Sequence, residues 1–181
     1  MFQYLPMTTT ALLIGGECTG KSALARAVAA RLTDRPVTVV PEVVRAFVVR
    51  QGRAPTQDEQ EGIWQEQTDL LEAAIARSPA RGLVICDPAP VMTAVYSIQY
   101  FDDFTLLPAA LDATNTSDLV VWCAPDIPWE HDGIQRDGPQ ARARTHDLLT
   151  ELVVPGLDPN RIVSVSGPVD DRVHQLLSRL T

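Results

Sequence analysis

With 181 residues, 45% of them hydrophobic, the chain has the length of one ordinary domain, here residues 1–181, and is too short for two sizeable ones. Fifteen basic against twenty-three acidic residues give a net charge of −8, which repels a polyanion and argues against nucleic acid as a partner. No apolar run approaches the roughly 18 residues of a membrane span, residues 1–10 lack the pattern of a secretory signal, and Cys18, Cys86 and Cys123 show no C-x-x-C spacing. The expectation is a soluble protein of a reducing cytoplasm that does not associate with membranes.

The first apolar run, residues 11–14, ends in the glycine-rich turn GGECTGKS and opens into a helix-forming segment. Residues Gly15, Gly16, Glu17, Cys18, Thr19, Gly20, Lys21 and Ser22 fit G-x-x-x-x-G-K-[ST] at every fixed position, with strand before and helix after. The glycines let backbone N–H groups turn inward, and the helix start adds unpaired donors, so an anionic phosphate chain fits. Lys21 is placed to reach the β- and γ-phosphates of ATP, and the Ser22 hydroxyl to ligate Mg²⁺. A tight turn capped by a helix is the plainer alternative. Against it stands composition: fourteen basic residues are arginine, and Lys21 is the only lysine. Cys18 is read as a small filler whose backbone N–H binds, a redox role being the alternative.

Further apolar runs follow at 37–40, 83–86, 119–123 and 162–165, continuous as in strands covered on both faces. Between the five runs lie helical stretches at 21–32, 43–50, 57–77, 89–99, 139–154 and 169–180. This alternation predicts an α/β fold of three layers, a five-stranded parallel sheet with helices on both faces and ligands outside the carboxyl ends of the strands. Residues 124–138, charged and rich in Pro and Gly, are long for a connection, so residues 125–145 are a candidate lid.

Acids stand just after the strands. Glu42, in PEVVR, is either a general base and substrate-hydroxyl ligand or a helix-start acid paired with Arg45 at i+3, which would lower its pKa and could itself bind an acceptor. Asp87, in LVICDP, sits where phosphate-loop enzymes hold Mg²⁺ through water, on a strand expected beside the first. In PDIPWEHDG, Trp129 either stacks on a base or plugs the loop onto the core, Asp132 is a further candidate for substrate contact, and His131 is read as a surface residue. Arg136, Arg142 and Arg144 follow closely; Arg136 and Arg142 are the candidates for meeting phosphate oxygens when the lid shuts.

The segments GGECTGKS, PEVVR, CDPAPVMTAVYSIQY and PDIPWEHDGIQRDG, in this order and spacing, resemble the nicotinamide-riboside-kinase domain of NadR-type proteins and its stand-alone AAA-type ATPase relatives, over residues 11 to about 155. The resemblance implies a phosphate-loop kinase fold and ATP-dependent phosphorylation of a hydroxyl on a nucleoside-like acceptor. Two positions depart from it: Ala89 replaces the second acid of a DTD sequence, and Pro41 stands where an aromatic residue can precede the acid. The adenylyltransferase domain of full NadR proteins has no room in this length. The competing function is a nucleotide-dependent switch that hydrolyses ATP with no acceptor. A GTPase is disfavoured because its NKxD motif needs a lysine, and a transporter ATPase because LSGGQ is missing. The sequence leaves the oligomeric state open.

Overall fold

Strand β1 (Thr9–Ile14) lies at the centre of a five-stranded sheet whose side chains are divided between two apolar layers. The computed structural model describes residues 8–130 and 138–180. Successive residues of a strand face opposite sides. Leu12 and Ile14 accordingly enter one cluster with residues of α3 (Gln60–Arg77), α4 (Val91–Phe101), α5 (Leu107–Thr114) and the segment after α6 (Pro139–Leu148). Ala11 and Leu13 enter the other, with Leu24, Ala25 and Val28 of α1 (Lys21–Arg31) and Val173 and Leu176 of α7 (Val169–Leu177). Each leucine, isoleucine or valine among them contributes about 1.5–3 kcal/mol by leaving water.

The strand order is β2-β3-β1-β4-β5, all pairs parallel, with β2 (Val37–Val40), β3 (Leu83–Cys86), β4 (Leu119–Cys123) and β5 (Ile162–Val165). Leu12 is in register with Cys86 on one side and Val120 on the other. The chain therefore leaves β1 between strands reached in opposite directions, a switch point where a crevice opens at the carboxyl end. The first glycine-rich turn lies there.

All five expected strands are present. Coverage on both faces holds for the inner strands, whereas β2 and β5, at the edges, alternate in burial. The expected helix 57–77 begins with a 3-10 turn, Gln57–Glu59, because Thr56 and Glu59 form a reciprocal capping box. Helix 89–99 becomes Val91–Phe101, since Pro90 supplies no N–H and takes the cap position. Helix 139–154 ends at Leu148 and passes through a π turn, Leu149–Val153, and a 3-10 turn, Val154–Gly156, around Pro155. Helix α5, not expected from the sequence, carries Pro108 in its first turn, where a helix tolerates it. Helix α2 (Val43–Gln51) packs Val43 and Phe47 against Ile63 of α3, beside the mouth of the crevice.

Candidate active site

A cleft of about 760 Å³ opens at the carboxyl ends of β1, β2 and β3. Residues 17–22 form its floor, Glu42 and Asp87 project from the ends of β2 and β3, and Tyr96, Tyr100 and Phe101 of α4 form an aromatic wall. Val44, Arg45 and Val48 of α2, with Ile127 and Glu130 from the segment after β4, complete the lining.

The floor is built by backbone geometry. Gly15 has φ 145°, and a Cβ there would stand 2.7 Å from Thr19 Oγ1 and 2.9 Å from the Cys123 carbonyl, so only glycine fits. Gly20, at φ 79°, is the N-cap of α1, whose first turn holds no acidic side chain to oppose an anion. Thr19 Oγ1 donates to the Gly16 carbonyl at 2.8 Å and locks the turn from inside. Lys21 Nζ donates to the carbonyls of Gly15 and Gly16, both at 2.8 Å, and lines the cleft with the exposed Ser22.

Beneath the floor lies Arg172 of α7, 2% exposed. Its Nη1 donates to the Thr19 carbonyl at 2.7 Å, its Nε to the Gly167 carbonyl at 2.7 Å, and its Nη2 to the Ala124 carbonyl at 3.2 Å and the Asp126 carboxylate. One buried cation thus joins the phosphate-type loop, the exit of β4 and the turn before α7. Sequence reading missed it; the available signal was an arginine directly beside Val173 on a strongly amphipathic last helix.

Glu42 is the N-cap residue of α2 by backbone geometry, yet its carboxylate caps no helix N–H and instead faces the cleft. Arg45 Nε stands 3.6 Å from Glu42 Oε2, as the i+3 pairing predicts. The expected net effect on Glu42 is reversed. Burial, the largest influence, raises its pKa; Lys21 and Arg45 pull it down without offsetting this, and Asp87 adds to the rise. Asp87 is 8% exposed, and its N–H donates to the Val40 carbonyl at 3.0 Å, bridging β3 to the end of β2. The next peptide bond, to Pro88, is cis. Ala89 is buried in the core with its N–H on the Leu13 carbonyl at 2.8 Å, so the position of the absent second acid faces apolar packing here.

Tyr96 and Tyr100, one helical turn apart, place their rings 6.4 Å apart at 43°. Burial above all, then the negative charges of Glu42 and Glu17, holds the Tyr96 phenol well above its ordinary pKa, so it stays a neutral hydroxyl. This wall was also missed, although an i, i+4 tyrosine pair after Asp87 was there to be read.

The cleft brings together Lys21, Ser22, Glu42, Arg45 and Asp87, as the sequence suggested. Trp129 is half-buried and does not line the cleft, although its neighbours Pro128 and Glu130 touch Cys18. Arg142 is turned to backbone: Nη1 donates to the Ile127 carbonyl at 2.9 Å and the Cys18 carbonyl at 3.5 Å. Arg144 is exposed on α6. His131, Asp132 and Arg136, and with them the centre of the expected lid, lie outside the described residues. Cys18 Sγ donates to the Pro128 carbonyl at 3.4 Å and accepts from the Glu130 N–H at 3.3 Å, which ties the segment after β4 to the floor. All three cysteines are free, and burial pushes the Cys86 thiol up to about 12 and the Cys123 thiol up to about 11. No helix among the described residues is long and apolar enough to cross a membrane.

The sheet order, with a glycine-rich loop leading from the central strand into a helix, defines the phosphate-loop class of nucleotide-binding folds. The chain belongs to the AAA domain family, whose model matches residues 10–172. Among solved structures it is similar to the NadR protein in complex with NR, at 20% identity and a TM-score of 0.74, covering 98% of this chain and 51% of that one. It is similar also to the NadR protein in complex with NAD and AMP-PNP, at 21% identity and a TM-score of 0.70, covering 96% of this chain and 49% of that one. Thymidylate kinase from Candida albicans follows at 14% identity and a TM-score of 0.69, with 95% and 90% covered. The chain spans about half the length of the NadR chains it matches, and at these identities the likeness is one of fold. No curated protein matches it.

Proposed function

We propose that the protein is an ATP- and Mg²⁺-dependent kinase that phosphorylates a hydroxyl of a nucleoside-like small molecule. The observation that carries this reading is the two-sided cleft, a phosphate-type floor facing an acid, Glu42, beside an aromatic wall. A cleft serving hydrolysis alone has no need of the second side. The donor set also fits the metal: the Ser22 hydroxyl and the Asp87 carboxylate, two oxygen donors on one cleft, leave places for water and phosphate oxygens, as Mg²⁺ prefers. When bound there, Mg²⁺ supplies neutralisation of charge on the transferred phosphoryl group.

In this reading the loop N–H groups of residues 15–22 hold the phosphates of ATP, and Lys21 exchanges its two carbonyl partners for β- and γ-oxygens. The acceptor ring lies against Tyr96 and Tyr100, and Arg45 contacts its polar edge. Its hydroxyl oxygen forms a bond to the γ-phosphorus, the bond from that phosphorus to the β,γ-bridging oxygen breaks, ADP leaves, and Glu42 takes the hydroxyl proton. A pKa raised by burial suits Glu42 to that task. Arg136 keeps the role of meeting charge that grows on the phosphoryl group, residues 125–145 that of a lid, and Trp129 and Asp132 that of acceptor contacts once it closes. Arg142 contributes by holding the loop at Cys18.

The buried Ala89, in place of a second acid, is the observation favouring an ATPase switch instead. The deciding experiment is ADP release from Mg-ATP with and without nicotinamide riboside, thymidine, cytidine or adenosine, with products separated by chromatography. Stimulation by one nucleoside, with its phosphorylated form appearing in equal amount to ADP, is expected. Hydrolysis unaffected by all four, with no phosphorylated nucleoside, would establish the switch.

A further inference from the structure

The buried stripe of α3 reads Gln60, Ile63, Gln67, Leu71 and Ala74, so a polar side chain stands where the spacing calls for an apolar one. Gln67 is 3% exposed. A carboxamide buried to that extent is retained at a cost unless each of its polar atoms is paired. Here every one is. Oε1 accepts from the Val43 N–H at 2.9 Å, while Nε2 donates to the Pro41 carbonyl at 3.1 Å and to Cys86 Sγ at 3.4 Å. The orientation of the amide follows from chemistry, because an N–H can only donate and a carbonyl only accept. The Cys86 thiol in turn donates to the Pro88 carbonyl at 3.1 Å.

These contacts straddle both cleft acids. Pro41 and Val43 are the residues on either side of Glu42, and Cys86 and Pro88 are those on either side of Asp87. Gln67 thus grips the backbone around the first acid with both ends of its amide and reaches the second through one sulfur. Leu71 and Ala74, on the same stripe, seat α3 in the core, so the grip is fixed to the sheet rather than to a loop.

We propose that Gln67 is a positioning residue for phosphoryl transfer, which sets Glu42 at the distance from the acceptor hydroxyl that the reaction requires and keeps it in register with Asp87. The inference rests on the reading of Glu42 as the acceptor's base. Gln67 touches neither nucleotide nor acceptor. Its removal should therefore affect kcat and leave ATP binding alone.

The test uses Gln67→Met, Glu42→Gln and the double variant, with nicotinamide riboside and thymidine at millimolar concentration as probe acceptors and Mg-ATP as donor. Gln67→Met is expected to lower kcat roughly 10- to 100-fold, the scale of a misplacement of about 1 Å, with KM for ATP changed by less than about twofold. The double variant should be no slower than Glu42→Gln, since a residue acting through another adds nothing once that other is gone. Parental kcat in Gln67→Met, or a double variant slower than Glu42→Gln by the full factor of Gln67→Met, would overturn the proposal. Should Gln67→Met fail to fold, Gln67→Glu keeps the acceptor for the Val43 N–H, loses at least one of the two donors, and is held to the same outcomes. If the parental chain phosphorylates neither of these probes nor cytidine nor adenosine, the nucleoside reading has failed, and Gln67 is judged by amide hydrogen exchange at Val43: faster exchange in the variant supports the grip, and an unchanged rate removes it.

Discussion

Arg172 Nη1 donates to the carbonyl of Thr19 at 2.7 Å, joining the last helix to the floor of the cleft across 153 residues of chain. The same guanidinium holds Asp126, Ala124 and Gly167. Arg172→Met would leave the Thr19 and Gly167 carbonyls without their buried donor and Asp126 without its cation. A loss of about 3 kcal/mol or more is expected. Urea denaturation measures it, and nucleotide affinity should fall in parallel because the floor loses its support; a variant as stable as the parent would show that water replaces the arginine.

Lys21→Ala should fold normally and lose ATP binding or turnover by orders of magnitude, since no second lysine can take the place of this cation. Equilibrium binding of a fluorescent ATP analogue, read beside the thermal unfolding midpoint, separates the two effects. Normal affinity in a folded variant would end the reading of residues 15–22 as a phosphate site.

Glu42→Gln carries a double signature. Acceptor phosphorylation should fall by roughly 10²-fold, the scale of general-base loss, while ATP affinity persists. Stability should move the other way. Burial raises the Glu42 pKa in the folded protein, so the ionised side chain opposes folding at neutral pH; that penalty fades as pH falls through the raised pKa towards the ordinary value of 4.5 and is gone below it. The variant should therefore melt higher than the parent near pH 7 and match it near pH 4. Thermal unfolding across that range decides, and a variant less stable than the parent at neutral pH would show that Arg45 and Lys21 outweigh burial after all.

Asp87→Asn should keep nucleotide binding and require more Mg²⁺ for half-maximal turnover. The neutral amide retains one oxygen donor and loses the charge that favours a divalent cation. A metal titration curve that does not move would make Asp87 a structural residue, engaged through its backbone N–H with Val40.

Strands and phosphate-type loop were legible because both rest on local chemistry. Residues 37–40, 83–86, 119–123 and 162–165 are strands with the bounds read from the apolar runs, and Gly15 and Gly20 take the positive φ values that the loop pattern requires. What escaped depends on contacts distant in sequence. Arg172 acquires meaning only when α7 packs beside α1, and Tyr96 and Tyr100 become a wall only when α4 lies along the mouth of the cleft. Helix α5 was hidden by a proline that is harmless in a first turn. The sign of the Glu42 shift escaped for a related reason: the arginine at i+3 is visible in the sequence, whereas the burial that outweighs it is not.

The pairing of Lys21 Nζ with the Gly15 and Gly16 carbonyls has a consequence for covalent chemistry. The chain offers a single ε-amine to any acylating or aldehyde reagent, and that amine sits at the floor of the cleft. The amine is half-buried and its N–H groups are already engaged by two carbonyls, so it should label slowly, and any compound that occupies the floor should slow it further. Site occupancy then becomes readable by mass from one tryptic cleavage: the bond after Lys21 is cut when the amine is intact and spared when it is modified.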